Sequence, residues 1–508
     1  MKLSFRFLLV ELCVLISSSA TFGQIDSFKD EPHRPKVHFS PKEKWMNDPN
    51  GMVYYNGDYH LFYQYYPGST VWGPMHWGHA VSKNMIQWEH LPIALYPDSL
   101  GYIFSGSIVV DFDNTSGFGK NGKPPLIAIF THHDPKGERE GRSDFQNQSI
   151  AYSNDDGKAW IKYENNPVIK NPGIKDFRDP KVMWYEKDKK WIMTLATKDH
   201  ITFYSSPNLK QWERESEFGE NIGAHGGVWE CPDLFPLKYK RKTVWVLIVN
   251  LNPGGPNKGS ATQYFLGDFD GKRFTAFTTD TKWVDYGPDE YAGVTWSNTN
   301  RRKIFLGWMS NWDYATVVPT EKWRSAMTIP RDLKIIKANN TLLIASRPIK
   351  ELNEISSKPV IIKKLQNLDT IDLLKQIQDL SIPCTIDLTI KNANDLLIVL
   401  SNRSGEETVI GYDKIQNRFF IDRTRSGIIN FNQGFGAKHF APRFSISTKM
   451  KISLVIDESS VELFADDGLT VMTEIFFPTI PYDHISIQST PPVLIKELRY
   501  KKMKAIGQ

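Results

Sequence analysis

The sequence predicts an all-β protein in which a five-bladed β-propeller precedes a C-terminal β-sandwich. Short apolar segments separated by polar turns recur along the 508 residues, and hardly any stretch before residue 350 has the periodicity of an amphipathic helix. A loosely repeated unit in the first part of the chain indicates the propeller, and alternating apolar and polar residues in the second part indicate the sandwich. The length also favours two domains.

Residues 1–23 have the features of a secretory signal peptide. Lys2 and Arg6 form a basic start, residues 7–17 are mostly apolar, and small residues precede a cleavage point near Gln24. The apolar run is too short to span a bilayer, which disfavours the alternative of a retained anchor. No other segment is apolar enough to cross a membrane, so we expect a secreted or periplasmic protein.

A repeated unit predicts the propeller, which we place at residues 34–348. The unit consists of a serine, a polar turn and a tryptophan that opens the next strand, and it occurs at 82–88, 153–160 and 206–212. Repeats of roughly forty to fifty residues are typical of propeller blades. About five units fit between Asn47 and Arg347, within the known range of blade numbers. A propeller would bring distant residues together around one axis.

The predicted boundary lies near residues 346–358, which leave the last blade and are polar and irregular. A short helix is expected at 370–380. Alternating strands then follow at 384–390, 396–401, 407–412, 418–422, 450–457, 460–464 and 471–476. We assign residues 360–504 to a β-sandwich that packs on the propeller. Carbohydrate binding by the sandwich is the alternative role.

Composition excludes several classes of protein. The formal net charge of +5 is small for this length and the basic residues are scattered, so no nucleic-acid surface is expected. Outside the signal peptide only Cys231 and Cys384 remain, which gives no disulfide framework. The histidines lack the ligand spacing of a zinc site. We expect neither a metal nor a cofactor.

Three acids stand in unusual local sequences. Asp48 and Asp179 directly precede a proline, Glu230 precedes one by two positions, and an apolar run follows each. A tight turn is the plain alternative for Asp48, since Asp-Pro-Asn-Gly is a good turn sequence. Glycoside hydrolysis needs two carboxyl groups facing the scissile bond, and a third acid can hold the sugar hydroxyls.

Four blocks then resemble the signature sequences of glycoside hydrolase family 32, the β-fructofuranosidases, which include invertases, inulinases and levanases. The blocks are Trp-Met-Asn-Asp-Pro-Asn-Gly at 45–51, Phe-Ser-Gly-Ser at 104–107, Phe-Arg-Asp-Pro at 177–180 and Trp-Glu-Cys-Pro at 229–232. They occur in the family's order, and the resemblance runs from about His38 to the C-terminus. It implies the same fold, a five-bladed propeller followed by a sandwich.

The resemblance also implies roles for individual residues. Asp48 would be the nucleophile, Glu230 the acid/base and Asp179 the transition-state stabiliser. The side chains that would bind substrate are Asn47, Gln64, Trp72, Ser105 and Arg178. Ordinary packing is the alternative for Trp72. Cys231 as a nucleophile is disfavoured, because the two acids already account for the chemistry.

The expected function is therefore hydrolysis of β-fructofuranosyl linkages in levan or inulin, with sucrose as a further candidate, through a retaining double displacement. Residues 307–315 and 323–327 resemble microbial levanases and exo-inulinases more than sucrose-specific members. The alternatives are a sugar-binding or fructosyl-transferring relative and a structural exported propeller. Linkage preference, exo or endo action and the oligomeric state are left open.

Overall fold

A computed structural model describes residues 31–365 and 369–506, so the predicted signal peptide at 1–23 lies outside the described residues. Within them almost all regular structure is strand. The α-helices there are two short ones, α1 (Pro135–Arg139) and α2 (Leu373–Gln376). None of these helices is long and apolar enough to cross a membrane. The prediction of an all-β protein is confirmed.

The strands from Lys44 to Pro348 form five sheets. The first contains β1 (Lys44–Tyr55), β2 (Asp58–Tyr66), β3 (His76–Ser82) and β4 (Glu89–Leu95). The second contains β5 (Tyr102–Val110), β6 (Leu126–His133), β7 (Gln146–Ser153) and β8 (Ile161–Lys162), and the third β9 (Phe177–Tyr185), β10 (Lys190–Thr197), β11 (His200–Ser206) and β12 (Glu213–Phe218). The fourth contains β13 (Val228–Tyr239), β14 (Lys242–Asn252), β15 (Ala261–Phe269), β16 (Phe274–Ala276) and β17 (Lys282–Trp283). The last contains β18 (Tyr291–Thr295), β19 (Ile304–Met309), β21 (Ala326–Met327), β22 (Arg331–Ala338) and β23 (Thr341–Pro348), whereas β20 (Trp323–Arg324) pairs in parallel with β1.

The inner strands of these sheets form a closed ring. Strand β1 packs against β5, β5 against β9, β9 against β13, β13 against β18, and β18 against β1. A ring of antiparallel sheets around one axis is a β-propeller. The blade count of five stays a prediction, which the five sheets support. Trp88, Trp160 and Trp212 directly precede β4, β8 and β12, as the repeated unit predicted.

Each inner strand carries a β-bulge near its N-terminal end, where two residues lie opposite one residue of the neighbouring strand. The bulged pairs are 47–48 in β1, 104–105 in β5, 179–180 in β9, 231–232 in β13 and 292–293 in β18. Bulges re-aim side chains and are common beside active sites. Proline is tolerated at such positions because it has no N–H to donate to the ladder.

The remaining strands form two sheets of six. After a 3-10 helix (Lys350–Glu354) come β24 (Val360–Leu365), β25 (Thr370–Asp372), β26 (Cys384–Lys391), β27 (Leu396–Ser401), β28 (Glu407–Asp413), β29 (Arg418–Arg425), β30 (Lys438–Pro442), β31 (Met450–Asp457), β32 (Ser460–Ala465), β33 (Thr470–Ile475), β34 (His484–Gln488) and β35 (Leu494–Lys502). The orders are β24-β35-β26-β31-β32-β33 and β25-β34-β27-β28-β29-β30. Ile386 and Leu454 of one sheet share a buried cluster with Ile398 and Ile487 of the other, as in a sandwich.

The short helix expected at 370–380 is only partly present. Strand β25 occupies the first positions, and α2 covers a single turn capped by the side chain of Asp372. Ile371, Leu373 and Ile377 are all buried in the core of the sandwich. Packing of these side chains therefore outweighs the helical preference of the segment.

A buried ionic network joins the two parts of the chain. The guanidinium of Arg331 on β22 donates to Asp285 at 2.9 Å and, through Nε at 3.0 Å, to Glu462 on β32. His38 contacts Glu462 at 2.9 Å and Asp457 at 2.8 Å. Burial alone would lower the pKa of His38, but its hydrogen bonds to these two carboxylates raise it to about 9. The domain limits 34–348 and 360–504 stay predictions.

We expect Arg331→Met to lower the free energy of unfolding by about 3–5 kcal/mol, because it leaves buried Asp285 without its cation and buried Glu462 with His38 alone. Denaturant-induced unfolding followed by fluorescence and circular dichroism measures this. The matched control is Arg425→Met, which removes an exposed partner of Glu407 and should cost less than about 1 kcal/mol. Equal effects of the two changes would show that the buried network does not stabilise the fold.

Candidate active site

A cavity of about 240 Å³ lies at the end of the propeller axis where the inner strands begin. All the residues predicted as catalytic or substrate-binding line it. They are Asn47, Asp48, Gln64, Trp72, Ser105, Arg178, Asp179 and Glu230. From the sequence we expect each acid to precede an apolar strand. In the structure the acids lie within β1, β9 and β13, at or beside the bulges.

Asp48 is surrounded by hydrogen-bond donors. Asn47 Nδ2 donates to Oδ1 at 2.9 Å, and Ser105 Oγ donates to Oδ2 at 2.6 Å. The thiol of Cys231 also approaches Oδ2, at 3.3 Å. Burial and then the charge of Glu230 raise the pKa of Asp48, whereas these three donors lower it. The donors thus offset part of the cost of keeping a buried carboxylate charged.

Asn50, which lies two residues beyond Asp48, does not donate to that carboxylate. Its Oδ1 accepts from the backbone N–H of Gly106 at 3.3 Å, so the side chain is directed along the ring. Its Nδ2 is buried without a hydrogen-bond partner among the described residues. Asn50 therefore joins β1 to β5 instead of contacting the carboxylate.

Asp179 adopts a left-handed backbone conformation, with φ of 65°, at the bulge of β9. Its N–H donates to Thr131 Oγ1 at 3.0 Å, and its Oδ2 accepts from the N–H of Cys231 at 3.1 Å. Burial raises the pKa of Asp179 to about 7; Arg178 opposes this, and the charges of the other two acids add to it. Arg178 thus favours the charged form of Asp179, but the effect of burial on the pKa is larger.

Glu230 is held by two side chains. Arg178 donates to Oε1 through Nε at 3.1 Å and Nη2 at 2.8 Å, and the hydroxyl of Tyr291 bonds to Oε2. A third nitrogen of Arg178 donates to Asp176 at 2.6 Å. Sequence reasoning missed Tyr291 and Asp176. Tyr291 precedes the Ala-Gly bulge of β18, so a glycine-marked bulge in the last blade was the available clue.

Cys231 lies between two of the acids. Its Sγ is 3.3 Å from Asp48 and 3.7 Å from Asp179, and its φ is 42°. Burial, and then the charges of Asp179 and Asp48, hold the pKa of the thiol well above its usual range. A thiol that stays protonated is a poor nucleophile, which agrees with the prediction that Cys231 does not attack the substrate. It is nevertheless a hydrogen-bonding neighbour of both carboxylates and not mere packing.

The rim of the cavity is aromatic on one side. Trp72 is 39% exposed and makes edge contacts with Tyr102 and Phe104, at 6.5 Å and 6.0 Å between ring centroids. Phe104 stacks on His133 at 4.2 Å, and His133 Nε2 is 3.1 Å from Glu138 on α1. An exposed indole at the mouth of a cavity suits contact with a sugar better than core packing.

Other features of the site were not found from sequence. The lining also includes Phe104, His133, Glu138, Phe145, Gln146, Asp176 and Trp312. Gln64, predicted to bind substrate, donates through Nε2 to the carbonyl of Ile103 at 3.0 Å. In the part of the chain that the structure describes, no three His, Cys, Asp or Glu side chains are arranged to hold a metal ion.

Comparison with protein families agrees with this geometry. The model "Glycosyl hydrolases family 32 N-terminal domain" matches residues 38–346, and "Glycosyl hydrolases family 32 C terminal" matches residues 350–501. Together they cover most of the chain.

Individual relatives give the same result. A levanase of Bacillus subtilis (strain 168) is 49% identical over 469 residues, which is 89% of this chain and 67% of that protein. An extracellular exo-inulinase of Aspergillus niger is 40% identical over 524 residues, 95% of each chain. The crystal structure of exo-inulinase from Aspergillus awamori superposes with a TM-score of 0.85 and 37% identity, covering 94% of this chain and 99% of that one. The chain therefore belongs to family 32 of the glycosyl hydrolases.

Proposed function

We propose that the protein is an exported fructan hydrolase that releases terminal β-fructofuranosyl units from levan or inulin, and also cleaves sucrose, by a retaining double displacement. The observation that carries the proposal is the convergence of Asp48, Asp179 and Glu230, from three different sheets, on one cavity. The levanase and exo-inulinase names of the relatives support the substrate class.

In the first step Asp48 attacks the anomeric carbon while Glu230 protonates the leaving oxygen. Two N–H groups of Arg178 bond to Oε1 of Glu230, so the acidic proton is carried by Oε2. The Tyr291 hydroxyl, which donates to Oε2 of the carboxylate, then accepts from the protonated acid. The attack forms a covalent fructosyl ester on Asp48 and releases the rest of the fructan as an alcohol.

In the second step Glu230, now a carboxylate, takes a proton from water as the water attacks the same carbon. The ester bond breaks, and Asp48 leaves as an anion that Asn47 and Ser105 stabilise by hydrogen bonds. Asp179 holds hydroxyl groups of the fructosyl ring, with its position fixed by the N–H of Cys231. Water thus enters on the face of the sugar ring from which the leaving group departed.

The shape of the pocket supports release of terminal units. The axis is closed beneath the acids by Lys181, Asp233 and Thr295, whose side chains bond to one another, so a chain can enter by its end but cannot pass through. The C-terminal sandwich supports this pocket indirectly, through the buried ions at Arg331. Export follows from the predicted signal peptide and agrees with the extracellular relatives.

Asp48→Asn should lower turnover by several orders of magnitude while the protein stays folded. The change is nearly isosteric, and it removes a charge that burial disfavours, as the raised pKa of Asp48 shows, so the fold should be kept. It also removes the nucleophile, so covalent catalysis should be lost. Steady-state rates on levan, inulin and sucrose measure the loss. Asp58→Asn, in β2 of the same sheet, is the control and should keep full activity. Near-normal activity of a folded Asp48→Asn protein would rule out this residue as the nucleophile.

Glu230→Ala should be far more active on a fructoside with an activated phenolic leaving group than on levan. The reason is that a good leaving group needs little protonation, whereas the alcohol released from fructan needs a general acid. Rates of the first step on both substrates decide the matter. If both rates fall by the same factor, Glu230 is not the acid.

Early products followed by NMR test the proposed mechanism as a whole. A nucleophile and an acid about 5–5.5 Å apart leave no room for a water between them, so two inversions give net retention. We expect β-fructofuranose as the first anomer and free fructose as the first product from levan and inulin. Initial α-fructose would mean inversion, and early oligosaccharides would mean attack within the chain.

A further inference from the structure

A second cavity, of about 390 Å³, opens at the opposite end of the propeller axis. Its lining comes from β5, β9 and β13, from the end of β18, from the start of β10 and from neighbouring loops. The lining shares no residue with the catalytic pocket. It therefore belongs to a different site from the one that carries the proposed hydrolysis.

A polar layer separates the two cavities. Thr295 donates to Asp233 Oδ2 through both its N–H and its hydroxyl, at 2.7 Å each. The ammonium of Lys181 lies 3.5 Å from the same carboxylate oxygen and donates to the carbonyl of Thr295. Lys181 and Asp233 thus neutralise each other, and their bonds close the axis between the two cavities.

The walls of the second cavity include several aromatic side chains among aliphatic and polar ones. They include Trp184 and Trp191, whose rings meet edge to face at 4.9 Å, and Phe235 beside them. Trp191 donates its N–H to Thr115 Oγ1 at 2.8 Å, so this N–H is not available to a ligand. At the rim Phe112 is 64% exposed, so its ring is accessible to a ligand.

One cation in this lining lacks a partner. The ammonium of half-buried Lys303 has neither a hydrogen bond nor an ion pair to any described residue, and its aromatic contact is Phe235, with Nζ 5.6 Å from the ring centroid. Burial lowers the pKa of Lys303, with Asp233 opposing the effect and Lys181 adding to it. The Lys303 ammonium is therefore available to pair with an anion in this cavity.

The acids nearby do not supply that anion. Asp233 is already bonded to Lys181 and Thr295. Asp111 accepts three hydrogen bonds from Thr115 and Ser116, and Glu186 is exposed and pairs with Lys189. Asp113, at the rim, is exposed to solvent, where its charge is screened.

We propose that this cavity binds a small organic anion, with its acid group paired to Lys303 and an aromatic or alkyl body between the aromatic walls. A neutral sugar fits less well, because most polar side chains of the lining already bond to one another. This site goes beyond the proposed function and does not depend on it.

Isothermal titration calorimetry of the full chain with 1-naphthoate, an aromatic carboxylate, tests the site. We expect one-to-one binding that Lys303→Met weakens at least tenfold and Lys303→Arg largely preserves. The control is Lys334→Met, which changes an exposed lysine outside both cavities and should leave the affinity unchanged. Hydrolysis of levan should be the same in all these variants.

A second variant and a second probe keep the test decisive if Lys303→Met fails to fold. Phe112→Ala, at an exposed position, should also weaken 1-naphthoate, and the neutral 1-naphthalenemethanol should bind at least tenfold more weakly than the acid. The proposal is overturned if 1-naphthoate does not bind, if the neutral alcohol binds as well as the acid, if Phe112→Ala or a folded Lys303→Met binds unchanged, or if fructose displaces the probe.

Discussion

Closure of the ring of inner strands is the constraint on which the site depends. Five strands pack side by side around the axis, and each has a bulge near the same end. The bulges direct Asp48, Ser105, Asp179 and the residues beside them towards a common space. Because the three acids come from separate sheets, the distances between them are set by how the sheets pack and by no local sequence.

Within that space a single guanidinium balances several carboxylates. Arg178 bonds to Asp176 and Glu230 and lies 3.9 Å from Asp179. The pKa of Asp179 rises because burial disfavours its charge; Arg178 opposes this, and the charges of Glu230 and Asp48 add to it. Burial likewise raises the pKa of Asp48, and the hydrogen-bond donors around that carboxylate offset part of the effect.

The fold class and the unusual settings of the three acids could be predicted from sequence because they leave local marks, whereas Gln64, Trp72 and Ser105 were assigned from the resemblance to family 32. Proline after an acid, tryptophan after a polar turn and apolar alternation are short-range patterns. His133 and Glu138 left no such mark, since their positions depend on packing between sheets, and Tyr291 left only the glycine of its bulge. The same limit explains the helix expected at 370–380, where burial in the sandwich prevailed. No short-range sequence pattern marks the second cavity, because its lining comes from several sheets that meet only when the ring closes.

The parallel pairing of β1 with β20 has a consequence for how the protein comes into being. Lys44 and Trp45, at the start of the propeller, are paired with Trp323 and Arg324, which are synthesised nearly three hundred residues later. Strand β1, which carries Asp48, therefore gains this second pairing only after almost the whole propeller has been synthesised. A chain that stops before Trp323 leaves β1 paired with β2 alone in its sheet, so the edge of the first sheet at β1 stays uncovered.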